Sequence, residues 1–201
     1  MERRTGALLA AGVVFGSIAL YLWMRKGASD TTSAPSSESE QEAGTVEKLT
    51  ATFGGRMSGP RWDRLTPEAK AKATELLNAA QAQGLDVMFW DGWRDPEEEK
   101  KHIADGTSKL KDPLNTLHAW GTAFDIVFRN AIGGPTWPPS NDPRWRQLAE
   151  LGANLGLFSG GLTWGWDWPH FQLAGITAAD LRARYGSDFL AYLTDSGATV
   201  A

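Results

Sequence analysis

Three histidines serve a chain of 201 residues that has no cysteine, and two of them stand near aspartates in otherwise apolar or aromatic segments. In "TLHAWGTAFDIVF", residues 116–128, His118 precedes Asp125 by seven positions; in "TWGWDWPHFQL", residues 163–173, Asp167 precedes His170 by three. Two imidazoles and one carboxylate satisfy the nitrogen and oxygen preference of a zinc ion and leave a fourth position for water, the open coordination of a catalytic site. A second carboxylate could then take that water's proton. The missing cysteines exclude disulfides, thiolate ligands and a cysteine nucleophile. The same residues also read as two ordinary structural histidines, and spacing alone does not separate these alternatives.

Positioning such a site constrains the backbone. Residues seven apart face opposite sides of a strand, and in a helix they share a face but lie about 10 Å apart along the axis. Neither geometry brings His118 and Asp125 to one ion, so the chain must bend between them, and Gly121 is the residue that bends at low cost. His118 is then expected in a loop and Asp125 in the strand that follows, "AFDIVF", 123–128. A carboxylate flanked by Phe124, Ile126 and Val127 needs a cation or several donors if it is buried. Pro169 disfavours helix at Trp168, which predicts a turn presenting Asp167 and His170 in one direction.

The surrounding elements follow from capping and periodicity. Thr66 and Pro67 open a helix in which Ala69, Ala73, Leu76, Leu77 and Ala80 recur at helical spacing until Gly84. "LDVMFW", 85–90, reads as a short buried strand. Pro96 opens a polar helix ending near Gly106, on which His102, among Glu98, Glu99, Lys100 and Lys101, reads as a residue of the solvated face. Asp142 and Pro143 cap a helix carrying Trp145, Leu148, Leu151 and Leu155. Helices and short strands alternate irregularly, so the expected class is α+β, a small mixed or antiparallel sheet with flanking helices.

Three regions are expected along the chain. Residues 5–24, within 1–26, are uncharged and bounded by basic pairs, and are long enough to span a bilayer as one transmembrane helix, a retained signal anchor. Eight of those twenty residues are Gly, Ala or Ser, so insertion is marginal and release from the membrane is a second option. Residues 27–46 are rich in Ser, Thr and Glu without aromatics, and read as a disordered tether. Its mean reach would be roughly 25 Å. The folded domain is expected over 47–201. Residues 1–26 carry a net +3 and 27–46 a net −4, which leaves −3 for the domain, so no basic nucleic-acid footprint is present.

Three segments together resemble a known family. "TLHAWGTAFD" is similar to the S-x-H-x-x-G-x-A-x-D motif of the zinc peptidases that cut bacterial cell-wall peptides, with Thr116 where serine is usual. This is the superfamily of D-alanyl-D-alanine carboxypeptidases and L-alanyl-D-glutamate endopeptidases, which includes VanY-like enzymes and several phage endolysins. "DWPHFQL" resembles its second motif, D-x-P-H-F-[EQ], in the form used by the endopeptidase branch. "FWDGWRDPEEEKKHIADGTSK", 89–109, resembles its G-[YW]-R-S segment, with Asp95 in place of serine and Glu99 where a glutamine is common. The resemblance spans roughly residues 60–175, in the family's order.

The resemblance implies that His118, Asp125 and His170 bind zinc, that Asp167 is the general base, and that Arg94 faces the scissile group, stabilising an oxyanion or holding a substrate carboxylate. Thr116 becomes a candidate for substrate contact. The implied fold is that of the D-Ala-D-Ala peptidase and Hedgehog group, and the implied substrate is the stem peptide of peptidoglycan, cut between L-Ala and D-Glu. The N-terminal segment adds the expectation of a monomeric catalytic domain held outside the cytoplasmic membrane. The alternatives are a D,D-carboxypeptidase or dipeptidase, and a membrane-tethered wall-binding module without catalysis.

Overall fold

The structure, a computed structural model, describes residues 47–200 apart from Gly55. The expected membrane segment at 5–24 and tether at 27–46 lie outside the described residues. Among the described residues no helix is long and apolar enough to cross a membrane.

After helical residues 47–53 come α1 (Pro60–Asp63) and α2 (Pro67–Ala82). Then follow β1 (Val87–Asp91), α3 (Pro96–Ala104), a 3-10 turn (Pro113–Asn115), β2 (Ala123–Arg129) and β3 (Pro135–Thr136). The chain continues through α4 (Pro143–Asn154), β4 (Leu157–Ser159), α5 (Gly160–Trp164), β5 (His170–Leu173), α6 (Ala178–Tyr185) and α7 (Phe189–Asp195). The class is α+β, as the pattern of elements predicts. The sheet runs β1-β2-β5-β4 with β3 added to β2, and every pairing is antiparallel, which resolves the mixed-or-antiparallel expectation.

Helix α2 is the central support. The Thr66 hydroxyl accepts from the Ala69 amide at 3.2 Å, capping the first turn, and the five residues predicted at helical spacing are the five it buries. They pack with Phe89, Phe124 and Phe171 from three neighbouring strands, each fully buried. Burying a leucine such as Leu76 or Leu77 contributes roughly 1.5 to 3 kcal/mol. Helix α4 uses Asp142 as its cap, the side chain accepting from Arg144 N at 3.0 Å. It presses Gly152 so near β5 that a Cβ there would lie 2.5 Å from the Phe171 ring. Phe171 follows His170, so α4 braces the strand that carries the second site histidine.

Two elements depart from their expected places. The strand predicted over 85–90 starts at Val87 and continues through Asp91, because a bulge at Trp90 keeps Asp91 in the ladder opposite Asp125. Helix α3 is polar as predicted, yet Glu99 is 1% exposed, turned inward to meet Arg94. His102 of the same helix remains partly exposed, at the rim of the cavity described below.

Candidate metal centre and active site

Register builds the site. Asp125 on β2 pairs with Asp91 on β1 and with His170 on β5, so three polar residues stand in one row across three strands. His118 reaches the same point from the turn before β2. That turn reverses at Gly121, whose φ is +64 and whose carbonyl accepts from Thr66 N at 2.9 Å. A Cβ there would sit 2.3 Å from the Arg64 carbonyl oxygen, so this bend excludes any larger residue. Sequence spacing alone predicted a bend at this position.

The three side chains converge. His118 Nε2 lies 3.2 Å from His170 Nδ1, and Asp125 Oδ1 lies 3.5 Å from the first and 3.4 Å from the second. One ligand atom from each residue falls within 4.8 Å of the others. The opposite ring nitrogens are held by acceptors: His118 Nδ1 donates to the Gly92 carbonyl at 2.6 Å, and His170 Nε2 donates to Gln172 Oε1 at 3.0 Å. A neutral ring held this way would turn a lone pair, not a proton, toward the centre. Two such lone pairs and a carboxylate oxygen repel one another unless positive charge lies between them. This donor set fits a metal ion that accepts nitrogen and oxygen ligands, with each imidazole oriented from behind as metal sites require.

The electrostatics point the same way. Burial alone would raise the Asp125 pKa, but the charges and hydrogen bonds of His118 and His170 outweigh it and hold the carboxyl well below the usual carboxylate range. Burial would lower the His170 pKa, yet the hydrogen bond and charge of Asp125, with Gln172 and Asp167 behind them, raise it. The centre attracts positive charge, as proton or as metal.

Asp167 lines the same cavity, about 730 Å³ in volume, and its pKa is raised by burial and by the nearby Asp125 charge. Its carbonyl accepts from His170 N at 3.3 Å, so the turn predicted at Pro169 ties the two residues together. Thr116 is buried at the cavity wall, where its hydroxyl accepts from the His118 amide at 3.2 Å and steadies the histidine's turn.

Arg94 also lines the cavity, but both of its Nη groups are engaged. Nη1 donates to Glu99 Oε2 and Nη2 to Asp91 Oδ2, each at 2.8 Å, while Nη2 lies 3.9 Å from Asp125 Oδ2. Burial works against the guanidinium charge, and Asp91, Glu99 and Asp125 more than restore it, so its pKa is raised. Burial acts equally against Glu99, and hydrogen bonds from Ser108 and Arg94 lower its pKa instead. Asp91 takes a second cation, Arg61, at 2.6 Å. Asp91, Glu99 and Gln172 were not among the residues predicted for the site. A signal existed for Glu99 and Gln172, which occupy variable positions of the resembled motifs; for Asp91 the bulge that turns it inward leaves no mark in the pattern.

The chain matches no established family profile. It is similar to the peptidoglycan L-alanyl-D-glutamate endopeptidase CwlK of Bacillus subtilis, with 26% identity over 120 residues, 54% of this chain and 69% of that one. It is likewise similar to an L-alanyl-D-glutamate peptidase of a Listeria phage, with 25% identity over 118 residues covering 55% of this chain and 38% of the phage protein. Both relatives are peptidases named for the L-alanyl-D-glutamate bond. Among solved structures, the Serratia marcescens L-Ala D-Glu endopeptidase ChiX aligns over 55% of this chain and 80% of its own, at 21% identity and a TM-score of 0.45. The chain spans 38% of the length of its phage relative.

Proposed function

We propose that the domain is a zinc-dependent peptidoglycan endopeptidase that hydrolyses the L-Ala–D-Glu bond of the stem peptide. The observation that carries this reading is the convergence of one ligand atom each from His118, Asp125 and His170, the two rings backed by Gly92 and Gln172, beside a half-buried second carboxylate, Asp167. The names of the two sequence relatives supply the choice of bond.

When bound, zinc supplies Lewis acidity, acidifying water and polarising a carbonyl. The protein's own groups do the rest. Asp167 takes a proton from the attacking water and returns it to the leaving amine, and its raised pKa brings it nearer the working range of a general base. Arg94, clamped flat by Asp91 and Glu99, presents a fixed positive charge at the cavity wall where negative charge develops on the scissile group. Its Nε is buried with no partner among the described residues. Thr116 holds the His118 turn in place.

The test is digestion of purified peptidoglycan by the full-length protein, with the fragments weighed by mass spectrometry. New amino termini at D-Glu are the expected result. Loss of the terminal D-Ala alone would make it a carboxypeptidase, and sedimentation with the wall without any fragment would make it a binding module. The uncharged stretch at 5–24 and the Ser/Thr/Glu-rich stretch at 27–46 extend the proposal to location: a single-pass anchor in the cytoplasmic membrane and a tether that keeps the domain outside, near the wall. Cell fractionation tests this, since uncleaved full-length protein confined to the cytosol would refute it.

A further inference from the structure

A stack of rings runs outward from the metal centre. Trp164 lies against the His170 ring with centroids 5.3 Å apart and planes 29° apart, and Trp166 lies against Trp164 at 5.9 Å and 20°. Both tryptophans are about half exposed, at 46% and 50%. Over Trp166 stands Lys109, its Nζ 3.6 Å from the ring centroid. Lys109 comes from the segment between α3 and the 3-10 turn, and Trp166 from the turn before β5. The two segments meet at the cavity that also holds Arg94 and Asp167.

The two cations of this cavity differ in one respect. Arg94 is met by Asp91 and Glu99, so its two Nη groups already donate to carboxylates of its own wall. Lys109 is exposed, and among the described residues it makes no ion pair and no side-chain hydrogen bond; it rests instead on the Trp166 face. A π face attracts an ammonium without accepting a conventional hydrogen bond, so it limits where the charge goes while leaving its three N–H donors open. A localised, uncompensated cation beside a peptidase centre is a receptor for an anion of the substrate.

We propose that Lys109, seated on Trp166, binds a free carboxylate of the stem peptide on the leaving side of the scissile bond. This rests on the endopeptidase reading above. Two carboxylates have that chemistry. When D-Glu is joined onward through its side-chain carboxyl, its α-carboxylate stays free, and the peptide's C-terminus supplies the other.

The probes are N-acetyl-L-Ala-γ-D-Glu-L-Lys as free acid and its two mono-amides, one at the D-Glu α-carboxyl and one at the C-terminus. Hydrolysis by the full-length protein is followed for KM, and calorimetry measures binding of the matching γ-D-Glu-L-Lys dipeptides, which do not turn over. One of the two amides should raise KM and dipeptide Kd by about three- to tenfold, the scale of a partly exposed charge-assisted bond. The amide that does so identifies the carboxylate. Lys109→Gln should abolish this difference, Lys109→Arg should retain most of it, and Trp166→Leu should reduce it. Lys100→Gln, on the exposed side of α3, should leave it intact. Added salt should shrink it.

Equal constants for acid and amides in the wild type, or a difference that survives in Lys109→Gln, would overturn the proposal. If the tripeptide is left uncut while dipeptide binding shows the Lys109-dependent preference, the carboxylate receptor stands and the endopeptidase reading falls. If cleavage occurs between L-Ala and D-Glu but is indifferent to both amides, the endopeptidase reading stands and the carboxylate receptor falls.

Discussion

The cavity has two walls built on different principles. On one, Asp91, Asp125 and His170 stand in register across β1, β2 and β5, and His118 is pinned by Gly92, Gly121 and Thr116. On the other, Lys109 and Trp166 project from connecting segments and Trp164 from the end of the short helix α5, and all three stay exposed. Ligand geometry tolerates errors of a few tenths of an ångström, and a hydrogen-bonded ladder braced by α2 and α4 holds to that. Recognition of a flexible peptide does not need it. Substitutions in the sheet wall should therefore act on metal and rate, and those in the loop wall on substrate affinity.

The largest effect expected is at the centre itself. Full-length protein should carry about one zinc per chain, and His118→Ala should lose it together with activity. Elemental analysis checks this, and undiminished zinc in the variant would remove His118 from the ligand set.

Next is Asp167→Asn, which should keep its zinc and lose on the order of a hundredfold or more in rate. The sign of the pH dependence follows from its raised pKa: the proton is retained to higher pH than on an exposed aspartate, so the base form, and the rate, should fall off on acidification earlier than for an unperturbed carboxylate. Initial rates across pH, with metal content measured at each point, separate this from loss of metal.

Gln172→Leu sharpens the comparison within the sheet wall. It touches no ion, but it removes the acceptor that fixes the His170 ring, so zinc affinity should fall roughly ten- to a hundredfold in competition with a chelator. The smallest effect is expected from Thr116→Val, which deletes the hydroxyl that accepts from His118 N. Thermal unfolding should show a loss of about 1 kcal/mol with zinc retained. A Thr116 variant that instead raises KM with stability intact would make Thr116 the substrate contact expected from the sequence.

Much of this site was legible in the chain because local rules govern it. The bend at Gly121 follows from the reach of seven residues, the turn at Pro169 from the restriction a proline imposes, and the two helix caps from Thr66-Pro67 and Asp142-Pro143. The inward face of α2 follows from its period. Beyond these, the interactions are non-local. Glu99 reads as one more acid on a polar helix until Arg94 is placed beside it, and Lys109 reads as a loop cation until the turn bearing Trp166 comes across the cavity.

Residue order alone dictates the donor types, the loop-then-strand arrangement around Gly121, and the absence of any cysteine ligand, because residue chemistry and local backbone preference need no partner. Folding in three dimensions settles which ring nitrogens face inward, that Asp91 shares a row with Asp125 and His170, and that Arg94 is paired with carboxylates while Lys109 is not. Those facts depend on strand register and on contacts between residues as far apart as His118 and His170. Such contacts are set by packing the whole core at once, and no local pattern encodes them.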